Sequence, residues 1–499
     1  VNGTVLTLPV AVPLLAAGLL MAVRGGRRLR LVTALAVNAG VLVLGCLLLA
    51  RGMDGAVLHQ SVGGWPAGFA IVFAADVLSA LMLSVSAALV LAGLAFAAAT
   101  RDDDNPLFTP LALVLSAGVY GAYLTADLFN FFVFVEVMLV PSYALLTMGG
   151  GRHRVAAGRI YVTVSLLAST LLLFGVGLVY GVTGTVNLGE LAGAATRSTS
   201  AALAGGVVLT ALATKAAVVP MHGWLPRVYP QAPPAVTVLF SGLLTKVGLY
   251  GIIRVYAVVF DGAGYRWAIT AAAVLTMVVG VLGAVGEQTL RDILVFHMVS
   301  QIGYVLLGLA LFTPAGLTAA VFYLAQYVLV KAALLACAGT VETVYGTGRL
   351  DRLGGLAGRE PLLAAVFMVA AFSLAGLPPL SGFAAKLSLI RAAAIDTDYL
   401  AVGVAVGVSL LTLTSMVKIW SGAFLGKEAP PKPEQSSAPG AAVRSAVRSG
   451  VRPVFAVPLV ALALPSVVLG LAAQPLLTVA AAAATGLTEL PPYVEAVTR

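Results

Sequence analysis

Charge is scarce in this sequence. Only 10% of its 499 residues are Asp, Glu, Lys or Arg, against 60% hydrophobic residues. Mean hydropathy is +1.03. A soluble chain of this length cannot bury so much apolar surface, so the composition points to an all-α polytopic membrane protein. The length prior of about three soluble domains does not apply to helices packed in lipid. Cysteine is nearly absent. Cys46 and Cys337 both lie within apolar runs, which excludes a disulfide framework and a Cys-based metal site. The four histidines (59, 153, 222 and 297) are scattered, and no carboxylate is spaced with them on one helix. No metal site and no cofactor are predicted. A soluble catalytic domain is also missing. The net charge of +9 resides in loops, so it predicts no nucleic-acid partner.

Long apolar runs supply what charge does not. They fall near 4–23, 30–50, 71–99, 107–126, 128–148, 158–182 and 201–220, then near 234–257, 267–286, 293–312, 316–340, 361–395, 399–424 and 453–483. The pattern predicts about 14 transmembrane helices. No positive charge precedes the first run, and Arg24, Arg27, Arg28 and Arg30 follow it directly. It is expected to remain as a helix rather than be cleaved as a signal peptide.

The loop charges predict the orientation. With the N-terminus outside, eighteen Lys and Arg residues fall in inside loops, and only Arg51, Arg197, Arg266 and Arg499 fall outside. This positive-inside bias places both termini on the outer face. A Pro-, Ser- and Ala-rich stretch, 426–452, reads as a flexible cytoplasmic loop.

Inside the apolar runs stand Glu136, Lys215, Lys246, Lys331, Lys386 and Lys418, with Asp76, Asp127, Arg254 and Arg391 nearer helix ends. Long cations near ends can snorkel to water, which is the reading for Arg254, Arg391 and Lys418. The central group is harder to place, because one carboxylate cannot neutralise four lysines. Static buried ion pairs are one reading. A row of buried groups that exchange protons is the other, and it is the physical requirement of a proton relay. His297 opens "HMVSQIGYVLLG", with Ser300, Gln301 and Tyr304 on or near its helical face, and could join that row.

Two apolar runs are interrupted. "KAAVVPMHGWLP" carries Pro220 and His222 beside Lys215, and "LAGLPPLSGFAAK" carries Pro378 and Pro379 ahead of Lys386. Proline at 220 is expected to free the carbonyl of Ala216. A helix broken in lipid strands backbone groups unless protein or a water-filled cavity satisfies them. Paired interruptions of this kind point to an ion path. They fall in the seventh and twelfth helices, five apart, which suggests inverted five-helix repeats in helices 4–8 and 9–13. The corresponding units are 1–99, 100–260, 261–425, the loop 426–452, and 453–499 with helix 14 and a tail.

At "FFVFVEVMLVPSYALL", "TKAAVVPMHGWLPRVYPQAPP", "SGLLTKVGLYGIIR", "HMVSQIGYVLLG" and "LAGLPPLSGFAAKLSLI", the chain resembles a known family. It is the proton-translocating antiporter family shared by Mrp-type cation/proton antiporters and the antiporter-like subunits of respiratory complex I. The resemblance implies 14 helices with helices 7 and 12 broken. It also implies that Glu136 pairs with Lys215, and that Lys246, His297 and Lys331 lead onward to Lys386. "DLFNFFVFVEVML" and a terminal lysine resemble the D-type branch of the Mrp antiporter subunits. One departure stands out. Where the family has a histidine shortly before the helix 11 lysine, this chain has Gln326 and Tyr327 in "AQYVLVK". Gln326 can hold a water but cannot titrate, so a water-bridged step is expected there.

The resemblance therefore implies a proton-translocating subunit of a multisubunit Na⁺ or K⁺/H⁺ antiporter in a bacterial plasma membrane, with other subunits as partners. The rival is a proton-pumping subunit of complex I or of a membrane-bound hydrogenase.

Overall fold

The computed structural model describes residues 3–23, 25–65, 70–426 and 450–499. The stretch expected to form a flexible loop therefore lies almost wholly outside the described residues. Among those described, eleven helices are long and apolar enough to span a bilayer, and three shorter apolar helices complete the predicted fourteen. They are α1 (Gly3–Ala22), α2 (Arg27–Met53), α3 (Val77–Thr100), α4 (Phe108–Leu124) and α5 (Leu128–Thr147). Next come α6 (Arg152–Thr183), α7 (Thr199–Lys215, resumed by Trp224–Val228), α8 (Pro234–Val258), α9 (Arg266–Gly286) and α10 (Leu290–Leu311). The last spans are α11 (Pro314–Tyr345), α12 (Pro361–Ala375 and Ser381–Ile395), α13 (Tyr399–Leu425) and α14 (Pro453–Leu471 and Gln474–Thr488).

Three features went unpredicted. Helix α14 is itself interrupted at Ala472 and Ala473. A short α15 (Pro491–Thr498) follows it. A two-stranded antiparallel hairpin, β1 (Leu58–Ser61) and β2 (Val72–Ala75), joins α2 to α3 with Leu58 opposite Ala75.

Two runs of five helices correspond. Both α4–α8 and α9–α13 have a 32-residue third helix and a broken fourth. Five is odd, so the second run begins on the opposite side of the bilayer from the first. Helices α8, α10 and α11 are almost wholly buried, whereas α1, α2, α6, α9 and α13 keep large apolar side chains on the outside, where lipid replaces water as solvent.

Both breaks close in the same way. In α7, Ala217 takes the left-handed conformation (φ 59°) and the amide of Val218 donates to Ala213 O at 2.9 Å. In α12, Gly376 (φ 87°) does the same, and Leu377 N donates to Phe372 O at 2.9 Å. Each is a six-residue closure of a helix end. The Val219–Pro220 and Pro378–Pro379 bonds that follow are cis. This corrects the expectation for Pro220. The first half of α7 ends at Lys215, before the proline could displace Ala216. The stranded groups find protein partners: Thr214 O accepts from Trp224 Nε1 at 3.0 Å, and Val219 N donates to Thr276 Oγ1 at 3.1 Å. At the second break a side chain at Gly382 would put its Cβ 1.7 Å from Ser373 O, so only glycine fits.

Candidate functional site

Helix α5 carries Glu136 half-buried on the face towards α6. On α6, Ser165 and Ser169 stand one turn apart and meet Lys215 from α7. The Lys215 ammonium donates to Ser165 O at 3.1 Å and to Ser169 Oγ at 2.5 Å. The Ser169 hydroxyl in turn donates to Glu136 Oε1. Glu136 and Lys215 thus share one hydroxyl, and among the described residues no direct ion pair joins them. A hydroxyl stands between the two charges. A cavity of about 20 Å³ opens beside Lys215 and Trp224, on the scale of a single water.

Lys246 lies on α8, fully buried. Its ammonium donates to Ser241 O at 2.5 Å and to Thr245 Oγ1 at 3.4 Å, and sits 4.1 Å from the centre of the Tyr327 ring. Gly248, one half-turn on, lets α8 approach the first break, since a Cβ there would stand 2.9 Å from Ala216 N. Lys331 on α11 is buried, and among the described residues its ammonium has no hydrogen-bond partner. Both ring nitrogens of His297 are likewise buried without partners among the described residues. Lys331 follows Tyr327, whose ring meets Lys246, by one helical turn on α11. Lys386 donates to Ala375 O at 3.2 Å, a carbonyl freed at the α12 break, and stands 4.9 Å from the Tyr304 ring centre.

The helix-break residues differ in role. Pro220 lies in the turn and His222 in the short 3-10 turn that follows, with His222 Nδ1 buried and without a partner among the described residues. Pro378 and Pro379 lie between the α12 halves. Gln326 faces the second break. Its Oε1 accepts from Ser381 Oγ at 3.2 Å, and Ser381 also meets Ser373 Oγ at 3.2 Å and Ser466 Oγ at 3.1 Å. Through these hydroxyls α11, α12 and α14 share one polar cluster.

Sequence reasoning missed Ser169, although two serines spaced by four on an apolar helix were a readable signal. It also missed how the helix-end charges are held. Arg254 does not snorkel: it forms a bidentate pair with Asp76, 2.7 and 2.8 Å, with both side chains under 10% exposed. Tyr250 and Ser79 add hydrogen bonds, and Tyr493 of α15 lies under the guanidinium at 4.8 Å. Lys418, half-buried, finds its partners at a helix end. It caps the end of α9, donating to Val285 O at 3.0 Å and Glu287 O at 2.5 Å. Among the described residues no cluster of His, Cys, Asp and Glu could hold a metal ion.

A helical membrane domain with two broken helices and a buried band of lysines is the architecture of an antiporter-type membrane subunit. Residues 125–412 match the family described as NADH:quinone oxidoreductase/Mrp antiporter, transmembrane, and the chain belongs to it. It is similar to the D-type subunit of the Na⁺/H⁺ antiporter of Alkalihalophilus pseudofirmus, 36% identical over 98% of both chains. The corresponding D-type subunit of Bacillus subtilis is 34% identical, covering 87% of this chain and 90% of that one. Among solved structures, a chain of the Mrp complex from Dietzia superposes with a TM-score of 0.95 at 48% identity, covering 100% of this chain and 99% of its own. Complex I from Thermus thermophilus shares the fold, with a TM-score of 0.79 at 23% identity over 97% and 99%. The chain is a transporter subunit, a multi-pass membrane protein rather than an enzyme.

Proposed function

We propose that this chain is the proton-translocating D-type subunit of a multisubunit Na⁺ or K⁺/H⁺ antiporter in a bacterial plasma membrane, both termini outside. Protons cross by way of Glu136, Lys215, Lys246, Lys331, His297 and Lys386. The observation that carries the reading is the juxtaposition at the first break. A carboxylate and a lysine from different helices address one hydroxyl, and three further lysines continue through the buried interior, none of them in an ion pair among the described residues. Placing a cation at the centre of a bilayer costs about 2.5–3.5 kcal/mol or more, so four of them in one band imply exchangeable charge. Protonated Lys215 is supported by Glu136 through Ser169. Loss of that support releases its proton towards Lys246, and the Lys331–His297 pair passes it to Lys386. We place the two translocating units at 100–260 and 261–425, each spanning one five-helix run.

Full-length similarity at 48% identity to a chain of an Mrp complex favours this reading over the redox-driven rival, where identity is 23% and bears on the fold alone. The test is cation-driven proton movement in everted vesicles carrying the whole assembly. Glu136→Ala is expected to reduce it close to background with membrane insertion unchanged. Near-normal antiport in that variant would end the proposal.

A further inference from the structure

Lys215 has a carboxylate through Ser169, but Lys246 and Lys386 have none: among the described residues no ion pair includes either. Each is deeply buried and makes hydrogen bonds mainly to a backbone carbonyl. What each has besides is the face of a tyrosine. Lys246 lies over Tyr327 at 4.1 Å and Lys386 over Tyr304 at 4.9 Å.

Those two rings are the ends of a row of three, one pair tilted and one stacked. Tyr327 packs on Tyr323 with centroids 6.2 Å apart, and Tyr323 stacks on Tyr304 at 5.4 Å with the planes 4° from parallel. All three are fully buried. Their hydroxyls are tied down elsewhere: Tyr327 to Met298 O at 3.1 Å, Tyr323 to Gln301 Oε1, and Tyr304 to Ala405 O at 2.7 Å. The hydroxyl bonds fix the long axis of each ring, and close packing around the fully buried rings resists rotation about it, so their negative faces stay towards the ammonium groups.

We infer that Tyr327 and Tyr304 are positioning residues for transport, holding the protonated ends of Lys246 and Lys386 by their ring faces where other buried lysines would need a carboxylate. A ring quadrupole attracts a cation without forming a salt bridge. It therefore stabilises charge weakly enough for the lysine to give up its proton again, which a desolvated ion pair would resist. Tyr327 lies one helical turn before Lys331 on α11, so its ring face meets Lys246 from the helix that carries the next lysine. The inference rests on the relay reading above and adds a way for lysines without a carboxylate to carry charge in turn.

The experiment varies the ring's electrostatics at constant shape. In the full assembly, Tyr327→Phe keeps the face and loses only the hydroxyl, so antiport in everted vesicles should stay within a few-fold of the parent. Phenylalanines of increasing ring fluorination, introduced at 327 by nonsense suppression, should then lower antiport stepwise, and Tyr327→Leu should lower it about tenfold. The same series at Tyr304 should run in parallel. Lys246→Ala, made alongside, separates the two claims. If Lys246→Ala abolishes antiport but the fluorinated series is flat, the ring face has no role and the inference fails while the relay reading stands. If Lys246→Ala leaves antiport intact, the relay reading falls and this inference with it. A Tyr327→Leu chain that fails to assemble changes neither conclusion, because the fluorinated rings preserve packing.

Discussion

Glu136 and Lys215 do not touch; they hold the same hydroxyl, that of Ser169, from opposite sides. This makes Ser169 the part of the first site that can switch. A hydroxyl accepts with its lone pairs while donating its single proton, so it can couple the carboxylate to the ammonium in one orientation and uncouple them in another.

Ser169→Ala removes that coupling and leaves two charged groups short of a partner. Hydrogen bonds to charged groups are worth about 1.5–3 kcal/mol, so antiport should fall roughly tenfold or more. Ser169→Thr, which keeps the hydroxyl, should retain most of it. Vesicle antiport at equal assembly checks both. Equal losses in the two variants would show that volume at 169, and not the hydroxyl, is what matters.

The second prediction compares two lysines of similar sequence character. Lys386 meets a carbonyl freed at the α12 break and the Tyr304 ring, whereas Lys418 caps the end of α9. Lys386→Ala should strongly impair antiport. Lys418→Ala should leave antiport near the parent and lower thermal stability modestly, since a cation at a helix C-terminus contributes about 0.3–1 kcal/mol. Thermal unfolding of the purified assembly beside vesicle transport resolves the pair. The reverse ranking would put the terminal group on α13.

The contrast marks what the sequence made legible. Fourteen apolar runs and the two proline interruptions were readable because a bilayer demands length, apolarity and satisfied backbone, and little else meets all three. The intramembrane lysines stood out for the same reason. The partners of Arg254 and Lys418 did not, because hydropathy along a chain says nothing about which carboxylate or carbonyl arrives from another helix. Ser169 was signalled only by its spacing from Ser165, since a serine costs little in a buried helix, and the contact of the Tyr327 ring with Lys246 comes from another helix. The break in α14 carried no mid-run proline pair like that of α12. It falls at Ala472 and Ala473, ahead of Pro475, where alanine is ordinarily a helix former.

Gln326 provides a third test. Its Oε1 accepts from Ser381, tying α11 to the hydroxyl cluster at the α12 break. Gln326→Leu conserves length but offers Ser381 no acceptor, and an imidazole at 326 does offer one. Antiport should drop severalfold in the leucine variant and remain near the parent in Gln326→His. Ser381→Ala should resemble the leucine variant. If Gln326→Leu is silent while Ser381→Ala is not, the cluster acts without α11.

The last prediction concerns stability apart from transport. Asp76 and Arg254 form a fully desolvated bidentate pair between the start of α3 and α8, and Tyr493 of α15 covers the guanidinium. Asp76→Ala strands a buried arginine, a loss of about 3–5 kcal/mol in comparable pairs. The assembly should show a markedly lower unfolding temperature and reduced yield. The double variant Asp76→Leu/Arg254→Met removes both charges and fills much of the same volume, so it should recover most of the stability. Antiport per assembled complex should then be close to the parent, because neither residue belongs to the lysine row. A double variant that is stable but transports poorly would instead place Asp76 and Arg254 among the groups that carry protons.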